Sequence, residues 1–133
     1  MTSPPFSIVG LDHVVLRVAD LARSITFYCD GLGCSIERQL EAGLTQLRAG
    51  AQLIDLVVIG SAMGGTARLD ASGRNQDHFC ILIDPFDEPG LRQHFLALDI
   101  DVPPSSRRYG ATGYGQSVYI DDPDGNVVEI RGR

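Results

Sequence analysis

Two histidines stand at matching places in the sequence, each directly after an aspartate and directly before a run of apolar residues. His13 lies in LDHVVLRV (11–18), and His78 lies in QDHFCILI (76–83), about 65 residues further on. Similarity at a fixed spacing indicates that one structural unit is repeated. A repeat would carry the two imidazoles to equivalent positions of two similar units.

Two carboxylates also lie among apolar residues. Asp55 interrupts LIDLVV and Glu129 interrupts VVEI, and an ionisable residue between apolar neighbours needs a reason. Two imidazoles with one or two carboxylates are the ligands that hold Ni, Zn, Mn or Fe(II) and leave positions open for a substrate. The pattern therefore favours a divalent-metal site. Taken singly, each histidine could equally be a surface residue, Glu129 a solvated carboxylate and Asp55 one half of an ion pair.

The elements that must position these residues follow from periodicity and from turn residues. Alternate side chains of a strand share a face, so His13 and Arg17 point one way while the residues between them pack a helix. The order in the first half is βαβββ, with strands over 8–18, 35–40, 44–48 and 52–59 and a helix from the N-cap Asp20 to about Cys29. In the second half we expect strands over 79–83, 100–102, 116–120 and 126–131, a helix from about Glu88, a glycine-rich loop over 103–115 and a connection between the halves over 60–74.

Composition bounds the class of protein. At 133 residues, with 44% hydrophobic and 21% charged residues, the chain is expected to fold unaided as one domain. A net charge of -6 argues against nucleic acid as a partner, and no apolar run is long enough to cross a membrane. The three cysteines lack paired CxxC spacing, so we expect reduced thiols and a cytoplasmic protein.

Neither half could bury both faces of its sheet alone. We therefore predict an α+β fold of two paired βαβββ modules, about 8–60 and 75–133, whose sheets share a cavity or groove within a single domain, 1–133.

Three segments carry a family signature: LDHVVLRVADLARSITFYCDGLG near the start, DHFCILI after the middle and SVYIDDPDGNVVEI near the end. They resemble the vicinal oxygen chelate superfamily, which includes glyoxalase I, fosfomycin resistance proteins, extradiol dioxygenases and bleomycin-binding proteins. The resemblance covers nearly the whole chain. It implies that the paired βαβββ modules form a cup-shaped mixed sheet around a metal site and that the substrate is a small molecule. It also implies a homodimer, in which one or two chains supply the metal ligands.

The resemblance also implies roles for individual residues. His13 matches the metal ligand of the first strand, His78 that of the fifth strand and Glu129 the carboxylate of the last strand. Asp55 stands where glyoxalase I has a glutamate ligand, and Arg17 matches a position that contacts the carboxylate of glutathione. For substrate binding we add Arg108, in the glycine-rich loop, and Tyr119, which with Ser117 resembles the fosfomycin branch.

Taken together, the signature predicts a metal-dependent lyase or isomerase similar to lactoylglutathione lyase. The metal would stabilise an enediolate formed from a substrate with vicinal oxygens, with Glu129 as the base and Asp55 as the other candidate. The alternatives are a fosfomycin-type thiol or water transferase, an extradiol-type dioxygenase and a non-catalytic binding protein. Binding-only members typically lack the complete ligand set, so its presence favours an enzyme.

Overall fold

A computed structural model of the chain describes residues 5–66 and 73–133. Eight strands and two helices follow one another along the chain. They are β1 (His13–Val18), α1 (Leu21–Ile25), β2 (Ser35–Leu40), β3 (Leu44–Ala49), β4 (Gln52–Val58), β5 (Phe79–Ile83), α2 (Glu88–Leu96), β6 (Ser106–Gly110), β7 (Gly113–Asp121) and β8 (Val127–Gly132); α1 runs on as a π-helix over Thr26–Gly31.

The strands form two four-stranded sheets of the same design. The order in the first is β1-β4-β3-β2 and in the second β5-β8-β7-β6. In each sheet the first and fourth strands of the module are parallel, while the other neighbours are antiparallel. The predicted α+β class and the two βαβββ modules are therefore confirmed. Part of the predicted connection over 60–74 lies outside the described residues.

Each sheet has an apolar face that packs into a core shared by both modules. Leu16 and Val18 of β1 are 5% and 0% exposed, whereas Val15 between them is 50% exposed. Asp20 begins α1 as predicted, because its side chain accepts a hydrogen bond from the Arg23 amide at 3.1 Å. We call the opposite face of each sheet, turned away from this core, its polar face.

Contacts on the helical side hold the two modules together. The buried Tyr28 hydroxyl donates to Asp122 Oδ2 at 2.6 Å, and the Ala19 amide donates to Asp124 Oδ1 at 3.0 Å. The Phe95 ring of α2 packs against Gly31, so closely that a Cβ at that position would lie 3.1 Å from the ring. These contacts join the modules at their helices and leave both polar faces turned outward.

The second half differs from the sequence prediction in one region. Residues 100–102 form no strand, and a strand lies instead at Ser106–Gly110, inside the predicted loop. That segment reads SRRYG, without alternating apolar residues, because its residues are largely exposed and β7 alone supplies its backbone partners. No helix among residues 5–66 and 73–133 is long and apolar enough to cross a membrane.

The start of α2 gives a testable dependence of stability on pH. Hydrogen bonds from the Ser105 hydroxyl and amide, and from Arg92, lower the pKa of Glu88 from 4.5 to about 2. Because the folded protein holds the ionised form, this stabilisation is present above pH 4.5 and is lost as the pH falls towards 2. Melting temperatures of Glu88→Gln and of the unchanged protein should differ above pH 4.5 and converge near pH 2; a constant difference would contradict this assignment.

Candidate metal centre

The second module brings a histidine and a carboxylate together on its polar face. His78 directly precedes β5, and Glu129 lies on the neighbouring parallel strand β8, opposite Cys80. His78 Nε2 lies 3.1 Å from Glu129 Oε1. Two ligands bound to one zinc-like cation at about 2.1 Å each would be roughly 3.0 to 3.4 Å apart. The nitrogen and the oxygen therefore have the separation of neighbouring metal ligands.

An aspartate orients each of the two imidazoles. Asp77 Oδ2 lies 2.7 Å from His78 Nδ1, and Asp12 Oδ1 lies 2.6 Å from His13 Nδ1. A carboxylate can only accept, so in both rings Nδ1 donates to the aspartate, which leaves Nε2 for a second partner. In His78 that partner is the Glu129 carboxylate, to which Nε2 donates, so a cation bound between them would replace this proton. A carboxylate behind the ring in this manner is usual for metal-binding histidines. The hydrogen bond that His13 donates to Asp12 is also the main reason why the pKa of His13 is raised above 6.5.

Glu129 is buried and both of its carboxylate oxygens accept hydrogen bonds. The Ser117 hydroxyl donates to Oε2 at 2.7 Å, and the Tyr119 hydroxyl donates to Oε1 at 2.9 Å. Burial acts to raise the pKa of Glu129, but these two hydrogen bonds and smaller contributions from Cys80 and His78 outweigh it and lower the pKa. Glu129 is thus held as a carboxylate, the form that binds a cation.

The first module repeats this arrangement with a shorter carboxylate. Asp55 of β4 is opposite Val15 of β1, so it stands to His13 as Glu129 stands to His78. Gln46 of β3 donates to Asp55 Oδ2 at 3.0 Å, whereas the buried Oδ1 has no hydrogen-bond partner within the described residues. One bare carboxylate oxygen therefore lies within a buried part of the first polar face.

The two pairs form no common group of metal ligands among residues 5–66 and 73–133. Neither described segment, nor the two combined, contains a group of three or more histidine, cysteine, aspartate or glutamate side chains that could hold a metal ion. His13 with Asp55 belongs to one sheet, and His78 with Glu129 belongs to the other. Because both polar faces turn away from the shared core, each face carries one histidine–carboxylate pair.

The three residues expected to bind substrate lie on the polar faces or beside them. Arg17 donates through Nε to the Gly64 carbonyl at 2.8 Å, which orients its guanidinium across the first polar face. Arg108 lies in β6, not in a loop, with its guanidinium carbon 5.9 Å from the centre of the Tyr119 ring. Tyr119 also packs edge-on to His78, 5.4 Å between ring centres.

Sequence reasoning missed several polar residues that accompany these two pairs. Asp12 and Asp77 could have been found, because the repeated Asp-His pair itself was the signal. Gln46 carried no such signal, since its role depends on its position opposite Asp55 in a neighbouring strand. Arg131 shares a face with Glu129 by strand alternation, but no signal in the sequence indicates that it is buried.

Comparisons with known proteins agree with this architecture. The model of the Glyoxalase/Bleomycin resistance protein/Dioxygenase superfamily matches residues 10–130. The chain is 33% identical to the virulence protein STM3117 of Salmonella typhimurium, over 90% of this chain and 81% of that protein. It is 31% identical to the glyoxalase domain-containing protein RDO1 of Mycosarcoma maydis, over 93% of this chain and 68% of that protein.

Solved structures give the same result. The crystal structure of STM3117 superposes with a TM-score of 0.77 at 29% identity, covering 96% of this chain and 98% of that one. A lactoylglutathione lyase from Agrobacterium tumefaciens superposes with a TM-score of 0.68 at 29% identity, covering 95% of both chains. The repeated modules, the placement of the paired residues and the match over residues 10–130 lead to one conclusion: the chain belongs to the glyoxalase, bleomycin resistance protein and dioxygenase superfamily.

Proposed function

We propose that this chain is a metal-dependent lyase or isomerase of the glyoxalase type, acting on a small substrate with two neighbouring oxygens. The observation that carries the proposal is the contact of His78 Nε2 with Glu129 Oε1 at 3.1 Å, with Asp77 behind the imidazole. The likeness to a lactoylglutathione lyase supports the reaction class. The lyase activity, its metal dependence and the roles of the residues below are all part of this proposal.

The ligands of the metal would be His13, His78 and Glu129. A bound divalent cation, whether Ni, Zn, Mn or Fe, would act as a Lewis acid towards the two oxygens of the substrate. In both histidines an aspartate holds Nδ1, so Nε2 is the nitrogen that would bind the cation, and Glu129 is kept ionised by Ser117 and Tyr119. A cation would displace the Nε2 proton that His78 directs at Glu129, while Glu129 itself would bind as a carboxylate.

Asp55 is the better candidate for the base that removes a proton from the carbon beside the carbonyl. Both oxygens of Glu129 are engaged in hydrogen bonds, whereas Asp55 Oδ1 has no partner among the described residues and is available to accept a proton. The Asp55 side chain is one methylene shorter than the Glu at the matching position of glyoxalase I. That shorter reach suits a base beside a cation more than a ligand on it. Gln46 would hold the carboxylate in place.

Arg17, Arg108 and Tyr119 would orient the substrate. All three lie on or beside a polar face, and Arg17 is positioned by the Gly64 carbonyl. The Tyr119 hydroxyl contacts Glu129 and is thereby placed next to the ligand set. The three cysteines are free thiols, in agreement with a reaction in the reducing cytoplasm.

A homodimer would complete the site. Val15 and Leu82 lie on the polar faces, where they are 50% and 45% exposed. A second copy could cover them by placing its first module against the second module of its partner. Each interface of this kind would bring one His13 and Asp55 to one His78 and Glu129, so that two copies form two complete sites.

The first experiment is a metal analysis of the purified protein beside His13→Ala. We expect about one equivalent of Ni, Zn, Mn or Fe per chain, and a loss of most of it in the variant, because removing one of three ligands weakens metal binding strongly. The control is His94→Gln, since His94 lies on α2, where its Nε2 contacts the backbone carbonyls of Asp30 and Gly31. Failure to bind any of the four metals after reconstitution would reject the proposal.

A further inference from the structure

Arg131 is a buried cation that the proposed chemistry does not use. It lies on the polar face of the second module, two residues beyond Glu129 on β8, and it is 4% exposed. Its side chain reaches across β7, where Nη2 donates to the Gly113 carbonyl at 2.7 Å. A buried charge is normally paired or fully hydrogen-bonded. Within the described residues, Arg131 has no ion-pair partner, and only part of its guanidinium is hydrogen-bonded.

Most of the guanidinium has no acceptor within residues 5–66 and 73–133. In that part of the chain the buried Nε and Nη1 lack a hydrogen-bond partner, and no carboxylate forms an ion pair with Arg131. Nη2 carries two hydrogens and donates one of them to the Gly113 carbonyl. Its second N–H lies beside an N–H of Nε or of Nη1 that has no partner among the described residues. A planar pair of donors therefore remains, which is the arrangement that binds both oxygens of an oxyanion.

Glycines make room for this side chain. A Cβ on Gly110 would lie 2.3 Å from Arg131 Nη1, and a Cβ on Gly115 would lie 2.8 Å from Nη2. Gly113 has a positive φ of 90° and is needed for the β6–β7 turn, but neither Gly110 nor Gly115 has a positive φ. Turn geometry does not explain those two glycines. Space for the guanidinium explains Gly110, and at Gly115 a Cβ would meet both the guanidinium and the Gly132 carbonyl oxygen, each at 2.8 Å.

We infer that Arg131, lying over Gly110 and Gly115, recognises an oxyanion, a carboxylate or a phosphonate, on the ligand that this protein binds. Arg108 lies on the same face, directly opposite Gly115, and adds a second positive charge. Arg131 is two positions further along β8 than Glu129, which places their Cα atoms about 6.5 Å apart. The inference rests on the proposed function for one point only: the substrate would carry its two neighbouring oxygens at one end and an anionic group at the other.

To bind the oxyanion, the Arg131 side chain would rotate outwards from its position over Gly110 and Gly115. The rotation breaks one hydrogen bond, the one to the Gly113 carbonyl, and gives the unpartnered donors an acceptor. No side chain of Gly110 or Gly115 stands in the way of the movement. An anion would thus supply the acceptors that Nε and Nη1 lack among the described residues.

The test is an NMR titration of the whole protein that follows the Nε–H resonance of Arg131, assigned by through-bond correlation experiments. The probes are acetate, methylphosphonate and neutral acetamide. We expect a saturable shift of this resonance with acetate, methylphosphonate or both, and none with acetamide. The response to each anion identifies the kind of oxyanion preferred. In Arg131→Lys the dissociation constant should rise about tenfold or more, while the exposed Arg133→Lys control should bind as the unchanged protein does.

An absent shift with both anions, or an equal shift with acetamide, would overturn the inference. The assigned resonance of the unchanged protein decides this even if Arg131→Lys does not fold. The titration is run with and without one equivalent of zinc, which separates the two hypotheses. Zinc binding without an anion response would leave the proposed function standing alone, and an anion response without zinc binding would leave this inference standing alone.

Discussion

Mixing two variants that cannot bind metal, His13→Ala and His78→Ala, is expected to restore metal binding. In a dimer with one chain of each kind, one interface combines the intact His13 of the second chain with the intact His78 of the first, and the other interface lacks both histidines. Random exchange of equal amounts makes half of the dimers mixed, so the expected metal content is about a quarter of an equivalent per chain. Elemental analysis after exchange through mild denaturant measures it.

The matched control mixes His78→Ala with Glu129→Ala. Both residues lie on the second module, so no interface of a mixed dimer contains an intact set, and metal content should stay near zero. Restoration in the control as well would show that the metal does not need His78 together with Glu129. No restoration in the first mixture would place all ligands within one chain and reject the dimeric site.

Asp55→Asn is expected to lower the rate of proton removal by about 10²- to 10⁴-fold while leaving the metal in place, because a positioned base contributes a factor of that size. The amide keeps the shape of the side chain and can still contact Gln46. The measurement is deuterium incorporation in D₂O at the carbon beside the carbonyl. The probes are S-lactoylglutathione and dihydroxyacetone, which has neighbouring oxygens but no glutathione.

Two further variants show whether the loss is specific to Asp55. Glu41→Gln, at an exposed turn of the same module, should exchange as the unchanged protein does. Glu129→Gln should lose metal and exchange together, since Glu129 is a proposed ligand. If Asp55→Asn keeps its exchange rate while a metal-loaded Glu129→Gln loses it, the base is Glu129 and the assignment of Asp55 is wrong.

The sequence predicted the architecture well where local signals repeat. The Asp-His pairs before two apolar runs identified β1 and β5, and glycines marked the ends of β2, β3 and β4 to within one residue. The strand Ser106–Gly110 was missed because its SRRYG sequence has neither apolar alternation nor β-branched residues. Its conformation comes from pairing with β7, a tertiary contact that a local pattern does not encode.

The site was predictable as a set of residues but not as an arrangement. The residue types, two histidines with carboxylates, are visible in the sequence, and their pairing as His13 with Asp55 and His78 with Glu129 follows from the parallel strands. That the pairs lie on separate polar faces depends on how the helices join the modules, through contacts such as Tyr28 with Asp122. The buried state of Arg131 depends on glycines in two other strands.

The position of the histidines within their sheets has a consequence for local motion. β1 and β5 each stand at the end of a sheet, while β4 and β8, which carry the carboxylates, are inner strands. Outer strands fray more readily than inner ones, because only one neighbour holds them. A cation shared by His78 and Glu129 would join an outer strand to an inner one. Metal loading would then slow amide hydrogen exchange along β5, and so couple the occupancy of the site to the opening of the sheet.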